Sequence, residues 1–223
     1  MNIIIQKTTI GHFLEVNLVP GDVFFAEPGA IISADAEIDI NSELAGGVMT
    51  SAMRMLGGGE SAFINKISAK QDVKIQLGTV LPSEIKEIEL DGGMILGDGV
   101  YIAHTGNIKI SSKFGGLSSM VAGSGLMFLH VEGKGNVYLA GCESMFVKEL
   151  GEGETFYLDN TCFVGCNDGM NFQKFMAGKG LTSKLMGGEG IMIKFTGPGK
   201  VFYQTESPSG LAYLLKRFIK TRK

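Results

Sequence analysis

The chain has 223 residues, 44% hydrophobic and 19% charged, with a net charge of −3. That is enough apolar material to core one large or two small domains, and it excludes a disordered or collagen-like chain, because the 33 glycines follow no fixed period. No apolar run approaches the roughly 20 residues of a membrane-spanning helix.

Residues 1–7 lack a signal-peptide pattern, and Cys142, Cys162 and Cys166 make no even-numbered framework. Both point to a soluble, cytoplasmic protein in a reducing compartment. The charge is uneven. Lys216, Arg217, Lys220, Arg222 and Lys223 crowd the last eight residues with no acid among them, so a basic tail follows an acidic body.

Taken from the N-terminus, the chain reads as short strands between glycine turns. Leu18 through Gly21-Asp22-Val23-Phe24-Phe25 to Ala30-Ile31-Ile32 opens the first unit. Ala34, Ala36, Ile38 and Ile40 alternate with Asp35, Glu37 and Asp39, which predicts a strand with one face buried. Met49 to Leu56 has a short helical spacing closed by glycine. Gly58-Gly59-Glu60-Ser61-Ala62-Phe63-Ile64-Asn65 then starts a hairpin that ends in the alternation of Val73, Ile75 and Leu77.

The same order returns twice. Asp91-Gly92-Gly93 punctuates the chain before Met94-Ile95-Leu96 and Val100-Tyr101-Ile102. Gly123 to Val131 leads through a second turn, Gly133-Lys134-Gly135, to Val137 and Tyr138. Leu150 through Gly153-Glu154-Thr155-Phe156-Tyr157 leads to Cys162-Phe163-Val164. Gly187-Gly188-Glu189-Gly190 then passes through Gly197-Pro198-Gly199 to Val201-Phe202-Tyr203. Val73, Val137 and Val201 are evenly spaced. Three related units are therefore expected, at 18–80, 88–143 and 150–206, longer than common solenoid repeats and suited to one compact body spanning 1–206. Residues 207–223 form a second element. Ser207-Pro208-Ser209 starts a helix with Leu211, Leu214, Leu215, Phe218 and Ile219 on one stripe.

Several of these segments resemble a known family. Leu56-Gly57-Gly58-Gly59-Glu60-Ser61-Ala62-Phe63, Leu185-Met186-Gly187-Gly188-Glu189-Gly190, Phe195-Thr196-Gly197-Pro198-Gly199, Gln204-Thr205 and Pro82-Ser83-Glu84-Ile85 are similar to motifs of the altered-inheritance-of-mitochondria family. Ser83 stands where that family often has glycine. The likeness covers most of residues 13–206. It implies a mostly β fold, a TRAP-like double-stranded β-helix or barrel built from internal repeats and often oligomeric. It also implies a link to membrane organisation among the mitochondrial members, and it carries over no catalytic residue. The RNA binding of the fold's namesake does not transfer.

No catalytic constellation stands out. His12, His104 and His130 are isolated, without the paired-His spacing of a metal strand or helix, so no metal or other cofactor is expected. Cys162 reads as a buried thiol and Cys166 as the more exposed one. Glu60 and Glu189 occupy matching turns, but Ser124 stands there in the middle copy, which favours a turn role over an acid–base pair. The Gly-x-Gly turns precede no helix N-terminus, so they offer no phosphate cradle.

What repeats is a soft apolar loop before each hairpin, holding Met49, Met53, Met55, Met120, Met176 and Met186, six of the twelve methionines. These side chains either cap the β-core or form an adaptable contact face. The basic helix either docks on protein or meets an anionic membrane surface. Nucleic acid is disfavoured, since no aromatic–basic interleaving is present. The leading expectation is a non-catalytic scaffolding protein that self-associates, with a trimer-type assembly as one form. A peripheral membrane protein is the alternative, and a ligand binder or enzyme using a barrel interior comes third.

Overall fold

Period-two alternation becomes strand wherever a neighbouring segment satisfies the backbone. The computed structural model describes residues 1–44, 63–112, 128–176 and 191–216. The first strands are β1 (Asn2–Thr8), β2 (Gly11–Leu18), β3 (Val23–Ala26), β4 (Ile31–Ala34), β5 (Asp39–Leu44), β6 (Phe63–Ser68) and β7 (Val73–Leu77). Next come β8 (Ser83–Leu96), β9 (Tyr101–His104), β10 (Asn107–Ser112) and β11 (Leu129–Cys142). The last are β12 (Met145–Leu150), β13 (Thr155–Asp159), β14 (Phe163–Asn167), β15 (Asn171–Met176), β16 (Ile191–Thr196) and β17 (Gly199–Gln204), followed by helix α1 (Pro208–Lys216).

The fold is mostly β and uses three sheets. One runs β1-β2-β7-β4, one runs β13-β16-β15, and the large one runs β12-β17-β14-β8-β11-β9-β3-β6-β5, with β10 also on β11. All the pairings are antiparallel. The expected barrel does not close among the described residues. Among the described residues each sheet ends in strands paired on one side only, β1 and β4, β12 and β5, and β13 and β15.

Three apolar clusters form the core, the second of them built within the large sheet. Leu14, Phe24, Ile67, Ile75 and Leu77 centre the first. Leu96, Val131, Val137, Leu139 and Val164 centre the second. Phe163, Phe172, Ile193, Phe195 and Val201 centre the third. Its rings interlock, with Phe163 stacked on Phe195 at 5.5 Å and Phe172 tilted on Phe195 at 5.6 Å.

Two predicted turns are strand interiors instead. Asp91-Gly92-Gly93 lies inside β8 and Gly133-Lys134-Gly135 inside β11, and the two strands pair without interruption from Leu129↔Leu96 to Cys142↔Ser83. The glycines let both strands bend while the ladder continues. Gly133 has φ +135°, and a Cβ there would collide with the Asn107 carbonyl oxygen of neighbouring β10. Gly133→Ala is expected to cost about 1–3 kcal/mol from backbone conformation alone. Chemical denaturation would read it as a lower midpoint at unchanged slope.

Conversely, the predicted strand across Ala34–Ile40 is broken. β4 ends at Ala34 and β5 begins at Asp39. At the break Asp35 accepts a hydrogen bond from the Lys74 amide at 2.7 Å and donates its own amide to the Lys74 carbonyl at 3.1 Å. The chain turns there from the β7 sheet to β6, while Ala36 and Ile38 still pack on the first cluster. The alternation survives across a corner. Helix α1 starts as read. The Ser207 hydroxyl accepts from the Gly210 amide at 2.9 Å, with Pro208 in the first turn.

Candidate functional site

The polar side chains with chemical potential gather where β8, β11 and β10 run side by side. Gly93, Glu132 and Lys109 form one cross-strand rung, and Ile95, His130 and Ser111 the next on the same face. Gly93 leaves room for the turn between β14 and β15. A Cβ at Gly93 would lie 3.0 Å from the Asp168 Cβ and 3.2 Å from His130 Nε2. Through that gap the Asp168 amide donates to the Gly93 carbonyl at 3.0 Å. The His130 Nε2–H donates to Asp168 Oδ2, also at 3.0 Å. The other ring nitrogen, Nδ1, faces Glu132 Oε2 at 3.9 Å. Above them lies an open cleft of about 490 Å³ floored by Gly92, Gly93 and Gly133 and walled by Asn107, Lys109, Glu132 and Asp168.

This arrangement ties a turn to a sheet. His130 is buried, and both its nitrogens face carboxylates. The cleft walls supply no hydroxyl or thiol nucleophile. Among the described residues no three His, Cys, Asp or Glu side chains converge to hold a metal.

The thiols are equally quiet. Cys166, read above as the more exposed, is fully buried on β14 between β17 and β8, and burial, followed by the nearby Asp168, pushes its pKa up to about 12. It is Cys162, at the end of the 3₁₀ turn Asn160–Cys162, that stays half-buried, and burial raises its pKa as well. The reason for the exchange is that the turn sits at the margin, whereas β14 is an interior strand. Cys142 is also shifted upward, by burial first and Glu143 next.

The other two histidines serve the fold. His12 Nδ1 accepts from the Ile85 amide at 3.1 Å. His104 lies on β9 directly opposite Phe25, stacked on its ring at 4.7 Å and 7°, with Nδ1 2.7 Å from the Tyr101 hydroxyl. Its Nε2 is buried without a partner among the described residues, and burial drives its pKa down to about 4. Burial also holds the Tyr101 hydroxyl well above its usual range, with Glu27 adding to the effect.

Of the surface residues singled out in the sequence, Met49, Met53, Met55, Met120, Met186, Arg217, Lys220, Arg222 and Lys223 lie outside the described residues. So do Glu60, Ser124, Glu189 and the short helical spacing 49–56. Met176 closes β15 and Lys216 closes α1. On the α1 stripe, Leu211 and Leu215 are exposed.

Sequence reading missed the outer aromatic rows. Phe146 on β12 is 49% exposed and stacks on Tyr203 at 5.7 Å, and Val147 beside it is 42% exposed. Tyr157 and Phe175 meet edge-on at 4.8 Å, with Lys194 Nζ 5.9 Å above the Tyr157 ring. The available signal was the run Met145-Phe146-Val147 followed by Lys148-Glu149, which breaks strand alternation. The His130–Asp168 pair gave none, because its members are 38 residues apart.

With this geometry in view, three similarities bear on the chain. A family model described as mitochondrial biogenesis AIM24 matches residues 5–206. An uncharacterised protein of Streptococcus pyogenes serotype M6 is 24% identical over 230 residues, covering 99% of this chain and 92% of that protein. A crystal structure of a Streptococcus pyogenes protein superposes with a TM-score of 0.78 at 24% identity, covering 98% of this chain and 99% of the other, which is a likeness of fold.

Proposed function

The chain belongs to the mitochondrial biogenesis AIM24 family, and from that premise we propose that it is a non-catalytic scaffolding protein that acts by self-association through its outer surface. The observation that carries this reading is the exposed apolar pair Phe146 and Val147 on an edge strand, since large apolar side chains beside unpaired backbone favour strand pairing between chains. The histidine and thiol environments support the non-catalytic half. His130 is tied to Asp168, His104 is enclosed, and the three cysteines have raised pKa values. Light scattering at micromolar concentration tests the proposal. A dimer or larger species is expected, and a strictly monomeric chain overturns it.

The body is read as three related units within a double-stranded β-helix. Support comes from register. β7 pairs β2 on one side and β4 on the other, with a shift between Ile31 and Ser33. β11 pairs β8 and β9 with a shift opposite Tyr138 and Leu139, and β17 pairs β12 and β14 with a shift between Phe163 and Gly165. In these ladders the position matching Val137 and Val201 is Ile75, not Val73. Ile75 pairs Val16 and Ala34, as Val137 pairs Ile88 and His104, and Val201 pairs Lys148 and Cys166. The even spacing of the valines is thus two residues out in the first unit, a shift that preserves strand parity.

A second reading, association with an anionic membrane surface through residues 207–223, is favoured by Leu211 and Leu215 standing exposed on successive turns of α1. Flotation with phosphatidylserine-containing vesicles would separate the two. Binding that disappears on deleting residues 207–223 supports the membrane reading, and equal flotation with and without them removes the helix from it.

A further inference from the structure

We propose that β12 is a strand-addition site for a second copy of this chain, the two β12 strands pairing antiparallel about a twofold axis centred on Val147. The proposal rests on the self-association reading and gives it a surface.

Strands β2 and β12 occupy like positions. β2 lies against β7, and β12 lies against β17. The outer flank of β2 is covered by β1 in a full ladder from Asn2↔Asn17 to Thr8↔Gly11. The outer flank of β12 carries no strand among the described residues, and β12 ends the largest sheet.

Met145 and Leu150 anchor the ends of β12 in the interior, while Phe146, Val147, Lys148 and Glu149 are all exposed. Neither proline nor bulge protects this edge, two of the devices by which single-chain sheets avoid unwanted pairing. The outward Met145 amide already donates to Glu84 Oε2 at 2.7 Å, so the outward amides offered to a partner are those of Val147 and Glu149.

Symmetry and charge together fix the register. A twofold axis perpendicular to a sheet keeps each face on its own side, so residues directly opposed across it share parity and one residue must oppose itself. Centring on Lys148 or Glu149 sets like charges against each other, which destabilises. Centring on Phe146 leaves Lys148, Glu149 and Leu150 beyond the end of the partner strand. Centring on Val147 sets valine on valine, Phe146 against Lys148 of the other copy, and Met145 against Glu149. The Phe146–Lys148 contact places an ammonium beside an aromatic ring. Glu149 keeps its own cation, Lys200, at 2.8 Å.

The test is the mass of the wild-type chain and of V147K by light scattering at tens of micromolar. Circular dichroism and the thermal midpoint serve as the folding controls. The wild type is expected to be dimeric, and V147K to dissociate at least about tenfold more readily, because two ammonium groups then face each other at the axis. V147C gives an independent readout. Opposed Cα atoms about 4.5–5.5 Å apart lie within disulfide span, so mild oxidation should cross-link V147C above the wild-type background. K148C should not cross-link, since its two copies are offset by two residues in opposite directions. A wild-type oligomer that V147K leaves intact, or that V147C fails to cross-link, overturns the β12 interface and leaves self-association standing. A monomeric wild type removes both.

Discussion

Acidification from pH 6.5 to 4 is expected to remove about 3 kcal/mol of stability through His104 alone. Burial lowers its pKa from 6.5 to about 4 in the folded chain. Between those values the unfolded chain binds a proton that the folded chain refuses. The stabilisation is therefore complete above about pH 6.5, declines as pH falls, and is exhausted below about pH 4. The cause is geometric. The ring is stacked on Phe25, its Nδ1 faces the Tyr101 hydroxyl, and its Nε2 has no partner among the described residues to share a charge. His104→Phe keeps the stack and removes both nitrogens. Urea unfolding of both proteins across this range should show a steeper acid loss in the wild type. Parallel curves would refute the assignment. Carboxylates titrate in both chains, so the difference between them isolates His104.

Phe195→Ala is expected to cost about 3–5 kcal/mol, the range for removing a fully buried aromatic ring. Phe195 is entirely enclosed and touches both Phe163 and Phe172, so its loss removes one ring contact from each, although both still meet Phe128. The comparison is Phe146→Ala, expected to cost under about 1 kcal/mol in the monomer because nearly half of that ring already meets solvent. Equilibrium denaturation of both variants at low protein concentration gives the contrast. Equal losses would mean that the third cluster is not a packed core. Given total stabilities of about 5–15 kcal/mol for ordinary domains, the Phe195 change alone threatens folding.

The two substitutions also mark where sequence is a sufficient guide. Phe195 and Val201 belong to apolar runs between glycine turns, and their burial follows from local pattern, because strand side chains alternate and one face must leave water. Phe146 sits in a pattern of the same kind, yet its strand has a partner on one side only. Whether an apolar strand residue is core or surface depends on what pairs beside it, and that neighbour lies far away in the chain.

The site followed the same division. Three histidines were visible, and nothing local set them apart. The fold stacks His104 on Phe25 and seats His130 beside Asp168 in the gap left by Gly93. The Cys162 and Cys166 readings exchanged places because a four-residue spacing does not say which thiol lies on an interior strand.

By itself the sequence determined the β class, the start of the C-terminal helix and the family. All of these rest on short-range rules, namely alternation, turn chemistry, capping and motif order. Only the tertiary structure decided that Gly92 and Gly133 bend continuous strands, that the chain corners at Asp35, that no described sheet closes, and that β12 ends its sheet uncovered. Those outcomes are set by backbone hydrogen bonds between distant segments. The register of such a ladder belongs to the pair of strands, so neither strand's residues specify it alone.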